Sequence, residues 1–120
     1  EIPSRLVGSE MCIRDRSSFS CLGESKFLER LEAINADEII LAGIESHVCV
    51  YQTSHDLLEK SKHVEVVVDS ISSRNINNHN TAIARMKMEG VSLTSVEMLL
   101  FFLQKSATGD TFRKLVKLVK

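Results

Sequence analysis

The chain has 120 residues, of which 26% are charged and 43% are apolar, and its formal net charge is −1. This composition is typical of one small globular domain. The near-neutral charge does not favour nucleic acid as the main partner, because binding to phosphates requires a basic surface. No apolar run approaches the roughly 20 residues that a membrane-spanning helix needs, so no membrane partner is expected either.

The three cysteines, Cys12, Cys21 and Cys49, are odd in number and widely spaced. They lack the close pairs that disulfide-rich and zinc-binding domains show. We therefore expect reduced thiols, no bound metal and no cofactor. Because no secretory pattern or other targeting signal is visible, the protein is expected to be intracellular, in the cytoplasm or in a mitochondrion.

Residues 1–16 show no regular hydrophobic period, and the regular pattern begins abruptly at Ser17. Part of this segment, "VGSEMCIRDR", is similar to translated sequencing-adapter sequence. We therefore predict that residues 1–16 are a non-native leader. Residues 17–120 are then the C-terminal part of a domain that is incomplete at its N-terminus.

From residue 17 onward, helical and strand-like patterns alternate. Helical periodicity covers residues 24–34, 46–62, 81–90, 95–104 and 110–120. Apolar runs typical of parallel strands covered on both faces lie at residues 38–43, 64–69 and 91–94. Ser46 is the expected N-cap of the second helix, and residues 70–80, which are rich in loop and helix-capping residue types, are expected to form a loop. This alternation predicts a layered α/β fold with a parallel sheet.

Cys49 lies in "GIESHVCV", directly after the first predicted strand. Open parallel sheets bind ligands at the carboxyl ends of their strands. A thiol in the first helical turn meets unpaired N–H groups and the positive end of the helix dipole, which favour a reactive thiolate. Free cysteine is also among the most frequently buried residue types. The residues alone therefore leave a nucleophile and a core side chain as comparable alternatives.

Longer stretches carry a family resemblance. "LAGIESHVCVYQTSHDLLEK" resembles the strand–turn–helix signature of the isochorismatase-like hydrolase superfamily, and "VVVDSISSR", "AIARMKMEGVSLTSVEMLL" and "FRKLVKLVK" are similar to eukaryotic isochorismatase domain-containing proteins. The resemblance covers about residues 17–120. It implies a three-layer αβα, Rossmann-like fold with a parallel sheet, and a homo-oligomer in the full-length protein.

The resemblance also implies roles for individual residues. Cys49 matches the nucleophile, the backbone amides of Glu45 and Cys49 match the oxyanion hole, and the Ile44–Glu45 bond matches a non-proline cis peptide. Arg16 occupies the position of the family's lysine and cannot release a proton near neutral pH. The family's catalytic aspartate has no counterpart in this sequence. The chain as written is therefore expected to be inactive.

The resemblance favours a cysteine hydrolase that acts on a small amide or a related small molecule. The alternative is a non-catalytic oligomeric scaffold or binding module with the same fold, since a fold does not imply a function.

Three further residues are candidates for a pocket beside Cys49. His47 could act as a general base, but a place at the pocket rim or a packing role is favoured, because adjacent first-turn side chains point in different directions. Ser73 and Arg74 follow the second predicted strand and could line the same pocket. Helix capping and a structural arginine fit these two residues equally well.

Two other patterns have weaker functional interpretations. His55, Glu59 and His63 have the spacing of metal ligands on one helix face, but a solvated face is favoured. Lys114, Lys117 and Lys120 alternate with apolar residues in the terminal helix. Docking of that helix onto its own domain or onto a sister subunit is favoured over membrane binding.

Overall fold

The computed structural model describes residues 17–120 of the chain. Its sheet has three parallel strands in the order β1-β2-β3, with bounds Glu38–Ile44, His63–Ser72 and Ser92–Thr94. The α-helices are α1 (Ser25–Ile34), α2 (Tyr51–Glu59), α3 (Ile76–Glu89), α4 (Val96–Gln104) and α5 (Asp110–Val119). The predicted α/β class with a parallel sheet is confirmed. The predictions for the leader and for Arg16 lie outside the described residues.

The core lies between β2 and the helices on either side of it in the chain. Val64 and Val66 of β2 are fully buried, as are Leu57 of α2 and Met86 of α3. β2 pairs with β1 along one edge and with β3 along the other, and its buried residues, Val64, Val66, Val67 and Ile71, are all apolar. This central strand fixes where β1 and α3 lie relative to each other, and both of them carry residues of the candidate site.

β1 differs from its prediction as a strand covered on both faces. Ile40 and Ile44 keep 49% and 68% of their surface exposed. Among residues 17–120, β1 pairs only with β2, so it forms an edge of the described sheet. The prediction is wrong for this strand because an apolar run alone does not distinguish a central strand from an uncovered edge.

The predicted loop at residues 70–80 is also wrong over most of its length. β2 continues to Ser72, and α3 begins at Ile76. The side chain of Asn75 caps α3 by accepting hydrogen bonds from the N–H groups of Asn77 and Asn78. Polar residues resemble a loop in sequence, but they fit the exposed and capped first turn of a helix equally well.

The terminal helix docks within the domain. The ring of Phe112 on α5 meets that of Phe101 on α4 edge-on at 6.4 Å, and Leu115 is buried. Leu118 remains 79% exposed. Within residues 17–120, no helix is long and apolar enough to cross a membrane.

Candidate active site

The "GIESHVCV" segment connects β1 to α2 through one π-helical turn, Ser46–Val50, which we call the Cys49 turn. Its N–H groups bond five positions back, from Val50 to the carbonyl of Glu45 at 3.1 Å and from Tyr51 to that of Ser46. The side chain of Cys49 is half-buried and is not in a disulfide. Wide turns of this kind recur at functional sites, because they displace side chains from the regular helical positions. The predicted helix therefore begins with a different geometry from the expected α-helical one.

The residue before the turn is bound to the connection between β2 and α3. The Ile44–Glu45 peptide bond is cis. The carboxylate of Glu45 accepts hydrogen bonds from the backbone N–H of Arg74 at 2.9 Å and from its Nε at 3.0 Å. The backbone bond is the main reason why the pKa of Glu45 lies below its ordinary value, although partial burial opposes the effect. Glu45 is therefore an anion near neutral pH.

Ser46 does not cap a helix, and that prediction is wrong. The capping position is Glu45, whose side chain makes no capping hydrogen bond. Ser46 is fully buried, and its Oγ lies 2.8 Å from Nδ1 of His79 on α3. A buried hydroxyl needs a hydrogen-bond partner, and here a residue 33 positions later in the chain supplies it. Nothing in the local sequence indicated His79.

His47 and Ser73 are in contact, and Arg74 follows Ser73 in the chain. Nδ1 of His47 is 2.8 Å from Oγ of Ser73. An open cavity of about 540 Å³ lies beside them, and its lining residues are Ile44, Glu45, Ser72, Ser73 and Arg74. Cys49 is not among these lining residues. The polar groups at the carboxyl ends of β1 and β2 thus converge on one side of the Cys49 turn.

A polar cluster formed by α2 and α3 was not predicted from the sequence. The carboxylate of Glu89 accepts hydrogen bonds from the hydroxyl of Tyr51 at 2.7 Å and from Nε of Arg85 at 3.0 Å, and it lies 3.2 Å from Nδ1 of His55. The guanidinium of Arg85 also lies over the Tyr51 ring, 5.8 Å from its centroid. The i,i+4 spacing of Arg85 and Glu89 is visible in the sequence, but the contacts to α2 are not.

Glu89 shifts the pKa values of two of its partners. Its hydrogen bonds raise the pKa values of Tyr51 and His55 above their ordinary values. The pKa of Glu89 itself is lowered, chiefly by the Tyr51 hydroxyl and then by His55. The cluster therefore ties the first turns of α2, immediately after the Cys49 turn, to the end of α3.

The predicted one-face arrangement of His55, Glu59 and His63 is wrong. α2 ends at Glu59, and His63 is the first residue of β2, where it lies 3.9 Å from Glu65. His55 instead lies 3.6 Å from Glu59 and 3.2 Å from Glu89. In the described part of the chain, no three His, Cys, Asp or Glu side chains are grouped so that they could hold a metal ion.

The isochorismatase domain model matches residues 4–98. The chain belongs to the isochorismatase family. This assignment accounts for the "GIESHVCV" signature at the carboxyl end of β1, and it confirms the family resemblance of the sequence.

Individual relatives agree with this assignment. The chain is 43% identical over 82 residues to the secreted isochorismatase effector Isc1 of Phytophthora sojae, covering 68% of this chain and 39% of that protein. It is 33% identical over 104 residues to isochorismatase domain-containing protein 2 of Danio rerio, covering 87% of this chain and 53% of that protein. The chain thus spans about half the length, or less, of these two curated relatives.

Solved structures share the fold. The structure of MAR1 ribonuclease from Caenorhabditis elegans superposes with a TM-score of 0.75 at 35% identity, covering 87% of this chain and 53% of that one. YcaC from Escherichia coli, described as an octameric hydrolase, gives a TM-score of 0.75 at 22% identity over 80% of this chain and 47% of its own. At that identity, YcaC supports the fold alone.

Proposed function

We propose that this family member is a cysteine hydrolase in which Cys49 attacks the carbonyl carbon of a small amide. The observation that carries the proposal is the place of Cys49. It lies half-buried on a π-helical turn at the carboxyl end of β1, within the signature of a hydrolase family. A position of this kind exposes a thiol to backbone N–H groups while limiting access of water.

The proposed reaction has two stages. The thiolate Sγ of Cys49 bonds to the carbonyl carbon, and the carbonyl oxygen becomes an oxyanion. When this intermediate collapses, the C–N bond breaks, the amine leaves with the proton that the thiol lost when it became a thiolate, and an acyl thioester remains. Water then adds to the thioester and releases a carboxylic acid, which restores the thiol.

The neighbouring groups have supporting roles in this proposal. The backbone amides of Glu45 and Cys49 are the proposed donors to the oxyanion. Ser73 and Arg74 line the adjoining cavity and are the proposed contacts for the rest of the substrate, while His47 supports this rim through its contact with Ser73. The Glu45–Arg74 ion pair makes this rim close to neutral, which favours an uncharged amide over an anionic one.

The test uses the complete coding sequence that contains this segment. The product is assayed for release of ammonia or amine from a panel of small amides. Cys49→Ser is expected to abolish turnover, whereas Cys21→Ser, which replaces another half-buried cysteine, is the matched control and retains it. Full turnover in Cys49→Ser would reject the proposal. If neither the unmodified protein nor the variants turn over any amide, and the complete sequence lacks the family's aspartate and lysine, the scaffold alternative is favoured.

The 120-residue chain by itself is predicted to be inactive. Arg16 stands at the position of the family's lysine, and no segment matches the aspartate of the family's early strand. The same amide panel should give no turnover above the buffer rate. Turnover that disappears in Cys49→Ser would contradict this prediction.

A second activity is suggested by the C. elegans relative, which is described as a ribonuclease and is 35% identical to this chain. The formal net charge of −1 gives no general attraction to RNA. We therefore propose that RNA is not the substrate. Cleavage of a labelled RNA that depends on Cys49 would favour the ribonuclease instead.

We also propose that the complete protein forms a homo-oligomer and lies in an intracellular compartment. YcaC is described as octameric, while the P. sojae relative is described as secreted, so relatives do not agree on location. Light scattering of the complete protein measures the first property, and fractionation of the source cells measures the second.

A further inference from the structure

The residue before the Cys49 turn and the first two residues of the turn each bond to the same later segment. Glu45 bonds to Arg74, Ser46 to His79 and His47 to Ser73. The partners lie within residues 73–79, which run from the end of β2 into the first turn of α3. Three successive side chains thus all have partners in one neighbouring segment. We call these three contacts the turn clasp.

The three contacts of the clasp differ in their exposure to water. The side chain of Arg74 is 86% exposed, so its ion pair with Glu45 is screened by solvent and contributes little. Ser46, in contrast, has 0% of its surface exposed. A buried hydroxyl that loses its partner keeps the full cost of having been removed from water. The Ser46–His79 contact is therefore the one that the fold can least easily replace with water.

Ser46 also links the two ends of the turn. Its side chain meets His79, while its carbonyl oxygen accepts the hydrogen bond from the N–H of Tyr51, the first residue of α2. In the chain, Cys49 lies between Ser46 and Tyr51. A shift of Ser46 therefore displaces the backbone that carries Cys49.

We propose that His79 is a positioning residue, which holds the Cys49 turn in its π-helical form through Ser46. The proposal rests on the proposed nucleophilic role of Cys49, since otherwise the turn has no thiol to position for chemistry. His79 uses Nδ1 for this contact. Asparagine can place a polar side-chain atom near the position of Nδ1, whereas alanine cannot and the longer glutamine reaches past it.

The first experiment measures amide hydrogen exchange in the complete protein. It compares the unmodified protein with His79→Ala, His79→Asn and the control His63→Ala, which removes an exposed histidine at the start of β2. His79→Ala is expected to lower the protection of the Val50 and Tyr51 amides up to about tenfold, the effect of losing one hydrogen bond. The amides of β2 should keep their protection, and His79→Asn should restore most of the loss.

The second experiment links the turn to the thiol. The rates at which iodoacetamide alkylates Cys49 and Cys21 are compared by peptide mapping in the same samples. His79→Ala should change the rate at Cys49 and leave the rate at Cys21 unaltered. Where an amide substrate is turned over, His79→Ala should lower kcat and leave KM nearly unchanged.

Several outcomes overturn the proposal. Unchanged protection of the turn in a folded His79→Ala variant is one, and an equal loss of protection throughout the domain is another. Failure of His79→Asn to restore the turn is a third. If His79→Ala does not fold, His79→Asn must protect the turn better than His79→Gln, and equal protection in these two variants rejects the idea. Neither exchange nor alkylation requires turnover, so failure of the hydrolase proposal is seen separately.

Discussion

Glu89 illustrates how a single residue joins elements that are distant in the sequence. Its carboxylate meets Tyr51, which lies 38 positions earlier, together with His55 and Arg85. Sequence analysis could find the Arg85–Glu89 pair because its i,i+4 spacing is local. It could not find Tyr51 or His55, because their approach depends on how α2 packs against α3. The same limit explains why Ser46 was expected to cap a helix, whereas its partner is His79.

Replacing Glu89 with glutamine should lower the pKa of His55. The hydrogen bond to the Glu89 carboxylate is the main reason why the His55 pKa is raised, so an uncharged side chain should bring it back toward its ordinary value. NMR titration of the His55 ring in the unmodified protein and in Glu89→Gln measures this change. Glu97→Gln, which removes an exposed acid in the first turn of α4, is the control and should leave the titration of His55 where it was.

The same contact makes stability depend on pH. Because the His55 pKa is raised in the folded state, the contribution is fully present below the ordinary histidine pKa of about 6.5 and is lost as pH rises through the folded-state value. The difference in unfolding free energy between the unmodified protein and His55→Ala should therefore shrink above that pH. A difference that grows with rising pH would be the wrong sign. The size of the effect is small because His55 is largely exposed.

At the scale of elements, most of the helices and strands could be predicted from the sequence. Hydrophobic periodicity located α1, α4, α5 and the three strands. The start of α3 could not be located, because its first turn has three polar residues, Asn77, Asn78 and His79, and its one apolar residue, Ile76, is exposed. Polar composition indicated a loop, while Asn75 as an N-cap is the physical reason for a helix.

Asn75→Ala should destabilise the protein by about 0.5–2 kcal/mol, the usual effect of losing an N-cap. Its Oδ1 accepts hydrogen bonds from two backbone N–H groups, at 2.8 and 3.1 Å. Urea unfolding of the complete protein measures the change. Asn80→Ala, an exposed asparagine in the same helix, is the control and should change the unfolding free energy by less than about 0.5 kcal/mol. Equal effects at the two positions would remove the capping argument.

The described part of the molecule leaves large apolar side chains exposed. Ile40 and Ile44 are exposed on β1, and Met98, Phe102 and Leu103 of α4 are each more than 60% exposed. Unpaired sheet edges and apolar patches promote association between copies. Hydrophobic runs could be recognised from the sequence. Which of them are covered by other elements could not be predicted, because that depends on the rest of the fold. Relatives that are about twice as long contain further chain that could cover these surfaces.

The 120-residue chain alone is therefore predicted to self-associate. Ile40→Lys should reduce this association, because a charge on an edge strand disfavours pairing with another copy. Ile34→Lys is the matched control, since Ile34 is exposed to a similar extent, 52% against 49%, but lies on α1. Size exclusion with light scattering compares the three proteins. A monodisperse monomer for the unmodified chain would refute the prediction that the exposed edge strand β1 causes self-association.

The nucleophilic role of Cys49 is tested most directly by trapping the acyl-enzyme. The complete protein is mixed with an amide that it turns over, quenched in acid during turnover, digested and analysed by mass spectrometry. We predict an acyl group on the peptide that contains Cys49, which hydroxylamine removes and which is absent in Cys49→Ser. Steady turnover with an unmodified Cys49 peptide, or with the acyl group on another residue, would contradict the account.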